Sequence, residues 1–167
     1  MLANMPAMMI LLCLFLLLVA NGAPILVRLL PGIRHWSRPL DAHHYMADGR
    51  RLFGDHKTWR GLIAAVLFTA AAGWLLNLPL WLGALFGALC MFGDLLASFI
   101  KRRRQLMPGA AAPGLDQLPE ALLPLLILYT PLGLGWQEVL LVPPLFMLID
   151  LLVSRGLYRL RIRRRPW

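Results

Sequence analysis

Cysteine is almost absent from this 167-residue chain, and the two it has, Cys13 and Cys90, both fall inside apolar blocks. No metal-type cysteine spacing exists and no disulfide framework is indicated, so both thiols are expected to pack as small hydrophobes. Acids are scarce too: eight Asp and Glu stand against seventeen Lys and Arg, for a net charge of +9. The cations concentrate beside apolar segments and no RNA- or DNA-binding motif accompanies them. Anionic lipid headgroups and phosphate ligands are therefore the expected partners, and nucleic acid is not. The chain also lacks an internal repeat, a heptad pattern and the glycine spacing of a P-loop. No Lys or Arg precedes the first apolar run, where a secretory signal would carry its positive region, and the run continues to Arg28, so cleavage is not expected.

Apolar residues are what the chain has in excess, at 59%. They fall into five segments, about Met5 to Leu30, Leu62 to Leu78, Leu80 to Ile100, Leu118 to Leu134 and Val139 to Leu157. A bilayer crossing takes roughly 20 residues of helix. Open strands and irregular backbone cannot face lipid, so the blocks should be helices, some tilted or partly buried against neighbours. The stretches Arg34 to Arg60, Lys101 to Gln117 and Arg159 to Arg165 are basic, whereas the turns around Asn77-Leu78-Pro79 and Gly135-Trp136-Gln137-Glu138 hold no Lys or Arg. Positive segments mark the cytoplasmic side. Five crossings, with the N-terminus outside and the C-terminus cytoplasmic, put all three basic stretches on that side. The fold class expected is an all-α, polytopic integral membrane protein, with residues 1–167 forming one transmembrane domain in the cell membrane.

The chemistry concentrates at the end of the third segment. Asp94 lies inside an apolar block, where a carboxylate costs several kcal/mol unless paired, and such residues are functional candidates by default. Ser98 follows after four residues and Lys101 after three more, so acid, hydroxyl and ammonium share one helical stripe. Within Lys101-Arg102-Arg103-Arg104, the last two fit a positive-inside signal, and Lys101 and Arg102 are the better phosphate ligands. A Pro/Gly-rich loop, including Pro108-Gly109 and Pro113-Gly114, ends the helix and leads to Asp116-Gln117. By position Asp116 is equally a helix N-cap or a metal ligand. Carboxylates from two segments are what Mg²⁺ usually takes from protein.

A second cluster, Gly54-Asp55-His56-Lys57-Thr58-Trp59-Arg60-Gly61, precedes the second segment and places cations where helical N–H groups would welcome an anion. Asn21-Gly22-Ala23-Pro24 is expected to interrupt the first segment at membrane depth, either as unwound backbone or as a proline kink. Asp150, another acid in an apolar block, is expected to pair with Arg155 or an arginine from another helix, and is not assigned to catalysis. His35, His43, His44 and His56 show no metal spacing and read as solvated loop residues.

Lys57-Thr58-Trp59-Arg60-Gly61, Gly93-Asp94 with Ser98-Phe99-Ile100-Lys101-Arg102, Pro108-Gly109 and Asp116-Gln117 together resemble the CDP-archaeol synthases, membrane CTP-dependent cytidylyltransferases related to the phosphatidate cytidylyltransferases. The resemblance runs from Asn21 onward. It implies transfer of CMP from CTP to a lipid phosphate with release of pyrophosphate, on the cytoplasmic side. It further implies Asp94 and Asp116 as Mg²⁺ ligands, Lys57, Lys101 and Arg102 on the triphosphate, and Thr58, Arg60 and Ser98 around the nucleotide. Two departures stand out. Relatives often carry Gly-Asp-Gly-Lys-Thr where this chain has Gly54-Asp55-His56-Lys57-Thr58, and Pro-x-Asp-Gly-Gly where it has Pro39-Leu40-Asp41-Ala42-His43. The competing reading is a non-enzymatic scaffold whose basic loops dock on anionic lipid. It accounts for the arginines but not for Asp94 with Ser98 and Lys101.

Overall fold

The computed structural model describes residues 5–30, 37–107 and 110–161. Arg34, His35, Pro108, Gly109 and the basic tail from residue 162 lie outside the described residues. Among the described residues five helices follow one another: α1 (Met5–Leu29), α2 (Trp59–Leu75), α3 (Leu80–Arg103), α4 (Leu118–Ile127) and α5 (Trp136–Arg159). Among the described residues the only strand-like pairings are two isolated bridges, Pro39 with Thr58 and Tyr45 with Arg51.

Three helices, α1, α3 and α5, are long and apolar enough to cross a membrane. α2 is shorter, at 17 residues, and α4 has only 10, about 15 Å of helix against a hydrocarbon core of about 30 Å. The fourth apolar segment is therefore not one helix through Leu134. After Ile127 the chain passes into successive turns through Gly133, past Pro131, which cannot donate to a helical ladder.

α1 runs as one helix through Asn21-Gly22-Ala23-Pro24, so of the two expectations the unwound backbone is ruled out. Proline removes one backbone donor, and here its ring is used for packing. A Cβ on Gly61 would come 3.3 Å from Pro24 Cβ, so α1 and α2 meet closely at that turn. Ala23, Val27 and Ala64 bury together beside it.

Small residues set the other contacts, as suits helices that gain nothing from hiding oil in oil. Gly83 and Gly87 lie one turn apart on α3. A Cβ on Gly83 would come 2.9 Å from the Thr69 carbonyl oxygen, and one on Gly87 would come 3.1 Å from that of Ala65. Thr69, Ala65 and Ala70 of α2 pack into that groove. Around these seams Leu16, Leu17, Phe86, Leu125, Val142 and Phe146 are fully buried in one core, which α2 joins through Ala72. Cys13 and Cys90 are buried free thiols within it. At the far turn α5 starts at Trp136, where Glu138 accepts the Gly135 N–H at 2.7 Å.

Candidate active site

Asp94, Ser98 and Lys101 occupy one face of α3, as their spacing predicts. Asp94 Oδ2 is paired with Lys57 Nζ, which arrives from the loop just before α2. Lys101 Nζ lies 2.5 Å from Asp116 Oδ1 and donates to the Ala110 carbonyl at 3.3 Å. Ser98 is buried between these pairs in sequence. Each acid thus holds a lysine supplied by another segment.

Lys57 is held by local turns on both sides. Its carbonyl accepts the Leu40 N–H at 2.8 Å and its own N–H donates to the Gly54 carbonyl at 3.3 Å. The next residue, Thr58, is the N-cap of α2, its Oγ1 accepting the Gly61 N–H at 3.2 Å. Arg60 follows in the first turn of α2, partly buried.

Asp116 is not the N-cap of α4. Gln117 takes that position without a side-chain cap. Asp116 Oδ2 instead accepts the Ala112 N–H at 2.9 Å, closing its own loop, while Oδ1 faces Lys101. The start of α4 sits against α3 at Gly93, the residue before Asp94: a Cβ there would lie 2.6 Å from Glu120 Cα. Glu120 is buried at this joint, one helical turn after Asp116. It is an acid of the site region that sequence reasoning passed over; the i, i+4 spacing from Asp116 was the available signal.

Among the described residues Asp150 pairs with two amides and with no arginine. Its Oδ1 accepts from Asn21 Nδ2 at 2.9 Å and its Oδ2 from Gln117 Nε2 at 3.1 Å, whereas Arg155 is exposed. Asn21, the start of the expected break in α1, is instead one arm of this polar link.

The arginines after Lys101 act on loops. Arg102 is buried and donates to the Met107 carbonyl at 3.0 Å, at the turn that leaves α3. Arg103 ties a loop to α3. It contacts Asp48 at 2.5 Å, donates to the Arg51 carbonyl at 2.9 Å and stacks over Phe99 at 5.3 Å, pinning the 37–58 loop to α3. That loop is knotted around buried Asp41, which pairs with Arg51 and accepts the N–H groups of Gly54 at 3.0 Å and Phe53 at 3.2 Å. Burial alone would raise the Asp41 carboxyl, but the hydrogen bond from Arg51 and the two N–H groups outweigh it and hold it well below the usual carboxylate range. Arg51 was not singled out from the sequence, and Asp41 only as the acid of the Pro-x-Asp stretch. His43, His44 and His56 are exposed, as expected of solvated loop residues.

A family model, CarS-like CDP-archaeol synthase, matches residues 6–78 and 74–167. The chain belongs to the CDP-archaeol synthase family. A CDP-archaeol synthase of Sulfurisphaera tokodaii is 36% identical over 156 residues, covering 90% of each chain. One of Thermococcus onnurineus is 46% identical over 112 residues, covering 59% of this chain and 61% of the relative. The fold matches a solved structure of an intramembrane enzyme for archaeal membrane lipid biosynthesis, with a TM-score of 0.73 at 29% identity over 86% of this chain and 91% of that one. The chain is accordingly an integral membrane enzyme, a CTP-dependent cytidylyltransferase acting on a lipid phosphate.

The family's glycine positions in the first loop are explained by backbone shape. Ala42 and His43 stand where CDP-archaeol synthases often have Gly-Gly, and both adopt left-handed conformations, φ 43° and 62°. The Asp41 carboxylate helps hold that turn by accepting the His43 N–H at 3.2 Å. The donor set suits a hard divalent cation. Asp94 and Asp116 are carboxylates on segments that Gly93 brings into contact. No group of three or more His, Cys, Asp or Glu able to hold a metal is found among the described residues, so phosphate oxygens and water would have to complete the shell, as Mg²⁺ prefers.

Proposed function

We propose that the acid–lysine pairs at the end of α3 form the site where this CDP-archaeol synthase family member transfers CMP from CTP to a lipid phosphate. An oxygen of the lipid phosphate attacks the α-phosphorus of CTP. The bond from that phosphorus to the bridging oxygen breaks, and pyrophosphate leaves with the electron pair. The attacking phosphate is already ionised at neutral pH, so no general base is needed, and the protein's work is positioning and charge neutralisation. Lys57, Lys101 and Arg102 bind the triphosphate. Thr58, Arg60 and Ser98 support the nucleotide pocket, Thr58 by fixing the start of α2. Asp94 and Asp116 would hold Mg²⁺, which when bound neutralises charge on the triphosphate and its leaving group.

The observation that supports this most is the double pairing, Lys57 with Asp94 and Lys101 with Asp116. Two acids and two ammonium groups from three segments form two pairs along one face of α3. A triphosphate arriving with its cation offers each member a new partner of the right sign. A scaffold that only docks on lipid has no use for carboxylates there.

Residues 1–167 act as one catalytic unit. The chain crosses the cell membrane five times, N-terminus outside, with the site on the cytoplasmic side, α2 and α4 using adjoining turns to complete their spans. The relatives' product, CDP-archaeol, makes an ether-linked isoprenoid lipid phosphate the first substrate to test. Purified protein should convert labelled CTP and Mg²⁺ to CDP-lipid and pyrophosphate with at least one member of a panel of ether- and ester-linked lipid phosphates, and should prefer CTP to UTP and ATP. Binding to anionic vesicles with no CDP-lipid formed from any member would favour the scaffold.

A further inference from the structure

Asp150 lies on α5, remote in sequence from Asp116, yet hydrogen bonds through Gln117 tie it to the short loop that Asp116 closes. Asp150 Oδ2 accepts from Gln117 Nε2 at 3.1 Å, and Gln117 Oε1 accepts the Gly114 N–H at 3.2 Å. Gly114 sits at φ 83°, inside the loop that Asp116 closes through the Ala112 N–H. At its other end the link is anchored in α1, where Asn21 Nδ2 donates to Asp150 Oδ1 at 2.9 Å.

The direction of every bond is dictated. A backbone N–H can only donate, so Gln117 must turn its oxygen toward Gly114 and its NH₂ toward Asp150. Asp150 then faces an NH₂ on each side, from Asn21 and from Gln117, and a carboxylate is the group of that size that accepts from both. Asp150 and Gln117 are both buried, so a lost partner is not replaced by bulk water.

The geometry points to Asp150 as a positioning residue for the cytidylyl transfer: through Gln117 it fixes the 112–117 loop and so holds Asp116 against Lys101. This rests on the reading of Asp116 and Lys101 as members of the active site. Asp150 itself touches neither.

Asp150→Asn keeps the shape but sets NH₂ against NH₂ on one side. Turnover should fall roughly 10- to 100-fold, the worth of a buried hydrogen bond to a charged group. The swap Asn21→Asp with Asp150→Asn restores every donor to an acceptor, because the new amide at 150 accepts from Gln117 and donates to the new carboxylate at 21. It should recover most of the lost rate. Gln117→Met cuts the same link from the other end, and should match Asp150→Asn if the latter folds poorly.

The decisive measurement is the double-mutant cycle. In an Asp116→Asn background, with residual turnover followed by labelled CTP, Asp150→Asn should cost no more than about twofold further, since the residue it positions is already lost. A full multiplicative loss in that background, or failure of the swap to restore rate in protein that melts normally, would overturn the positioning role. Normal turnover by Asp150→Asn beside an inactive Asp116→Asn would remove the positioning role alone. Normal turnover by Asp116→Asn would instead remove the active-site reading on which it rests.

Discussion

Gly93 of α3 meets the Pro119 carbonyl of α4 with no room for a side chain: an added Cβ would lie 2.5 Å from the carbonyl carbon. Backbone meets backbone here, one residue before Asp94 and three after Asp116, so the spacing of the two acids depends on a hydrogen atom.

Gly93→Ala should therefore be costly. The methyl cannot be absorbed by a side-chain rotation, and α4 must shift bodily. A destabilisation of about 1–3 kcal/mol is expected from overpacking, with turnover lost beyond what unfolding explains. Gly156→Ala on α5 is the control, since nothing lies within 4 Å of its added Cβ, and alanine there should be neutral or gain up to about 1 kcal/mol. Melting in detergent and CTP turnover measure both. Equal behaviour of the two variants would show that the α3–α4 contact is not a constraint.

How far the site was legible follows from the range of each interaction. The Asp94–Ser98–Lys101 stripe could be read directly, because helical spacing is local. The start of α2 could be read only to within a few residues, since the apolar run begins at Leu62 while the helix begins at Trp59. The partners could not. Lys57 with Asp94 and Asn21 with Asp150 join segments whose adjacency no periodicity reveals, and the general expectation that a buried acid seeks an arginine misplaced Asp150. Asn21-Gly22-Ala23-Pro24 looked like a break because composition does not show that Gly61 makes space for Pro24. The length of α4 was overread for a related reason: apolar residues continue to Leu134, but Pro131 and the turns around it end the regular helix. Arg51, which with Asp41 organises the 37–58 loop, looked like an ordinary member of a charged connection.

The left-handed backbone at Ala42 and His43 makes a second expectation. A side chain in that region costs about 1–2 kcal/mol per residue, partly offset by the greater freedom glycine has when unfolded, about 0.5–1 kcal/mol. Ala42→Gly with His43→Gly should leave stability unchanged or raise it slightly, without loss of turnover. A clear fall in melting temperature would mean the two side chains make contacts that outweigh their backbone strain.

The knot around Asp41 should respond to acid. Its carboxyl is held below the ordinary range in the folded loop, so it favours folding wherever the unfolded group is ionised, above about pH 4. That contribution fades as pH falls through and below that value toward the depressed folded value. Exchange of the Phe53 and Gly54 amides, both bonded to Asp41, should stay slow from neutral pH to about 5, after correction for the intrinsic rate, and rise below about 4. Asp41→Asn should remove this acid dependence. An unchanged pH profile in that variant would place the acid sensitivity elsewhere.

Orientation is testable with single thiols. Cys13 and Cys90 are buried, so reagents of low permeability should report on introduced sites. Cysteine at Gln105, exposed just beyond α3, should be protected in intact cells. At Gln137, exposed in the first turn of α5, it should react. Reaction at Gln105 from outside would invert or break the five-crossing arrangement.

The proposed division of labour between acids and lysines gives the sharpest contrast. Asp94→Asn and Asp116→Asn keep size but remove the charge that would hold Mg²⁺, while leaving Lys57 and Lys101 in place. Both should fold in detergent, lose most turnover at low Mg²⁺ and regain part of it as Mg²⁺ is raised. Lys101→Ala should weaken CTP binding instead, with little change in the Mg²⁺ concentration needed for half-maximal rate. The two effects separate because the acids are assigned to the cation and the lysine to the triphosphate. Asp116→Asn also loses one of the two loads on its carboxylate, the pair with Lys101, but an amide oxygen can still accept the Ala112 N–H, so its loop should stay closed. Near-normal rates at low Mg²⁺ in both aspartate variants would make the two pairs structural ties between α3 and its neighbouring loops, and the cation would have to be sought at another group, Glu120 first among them.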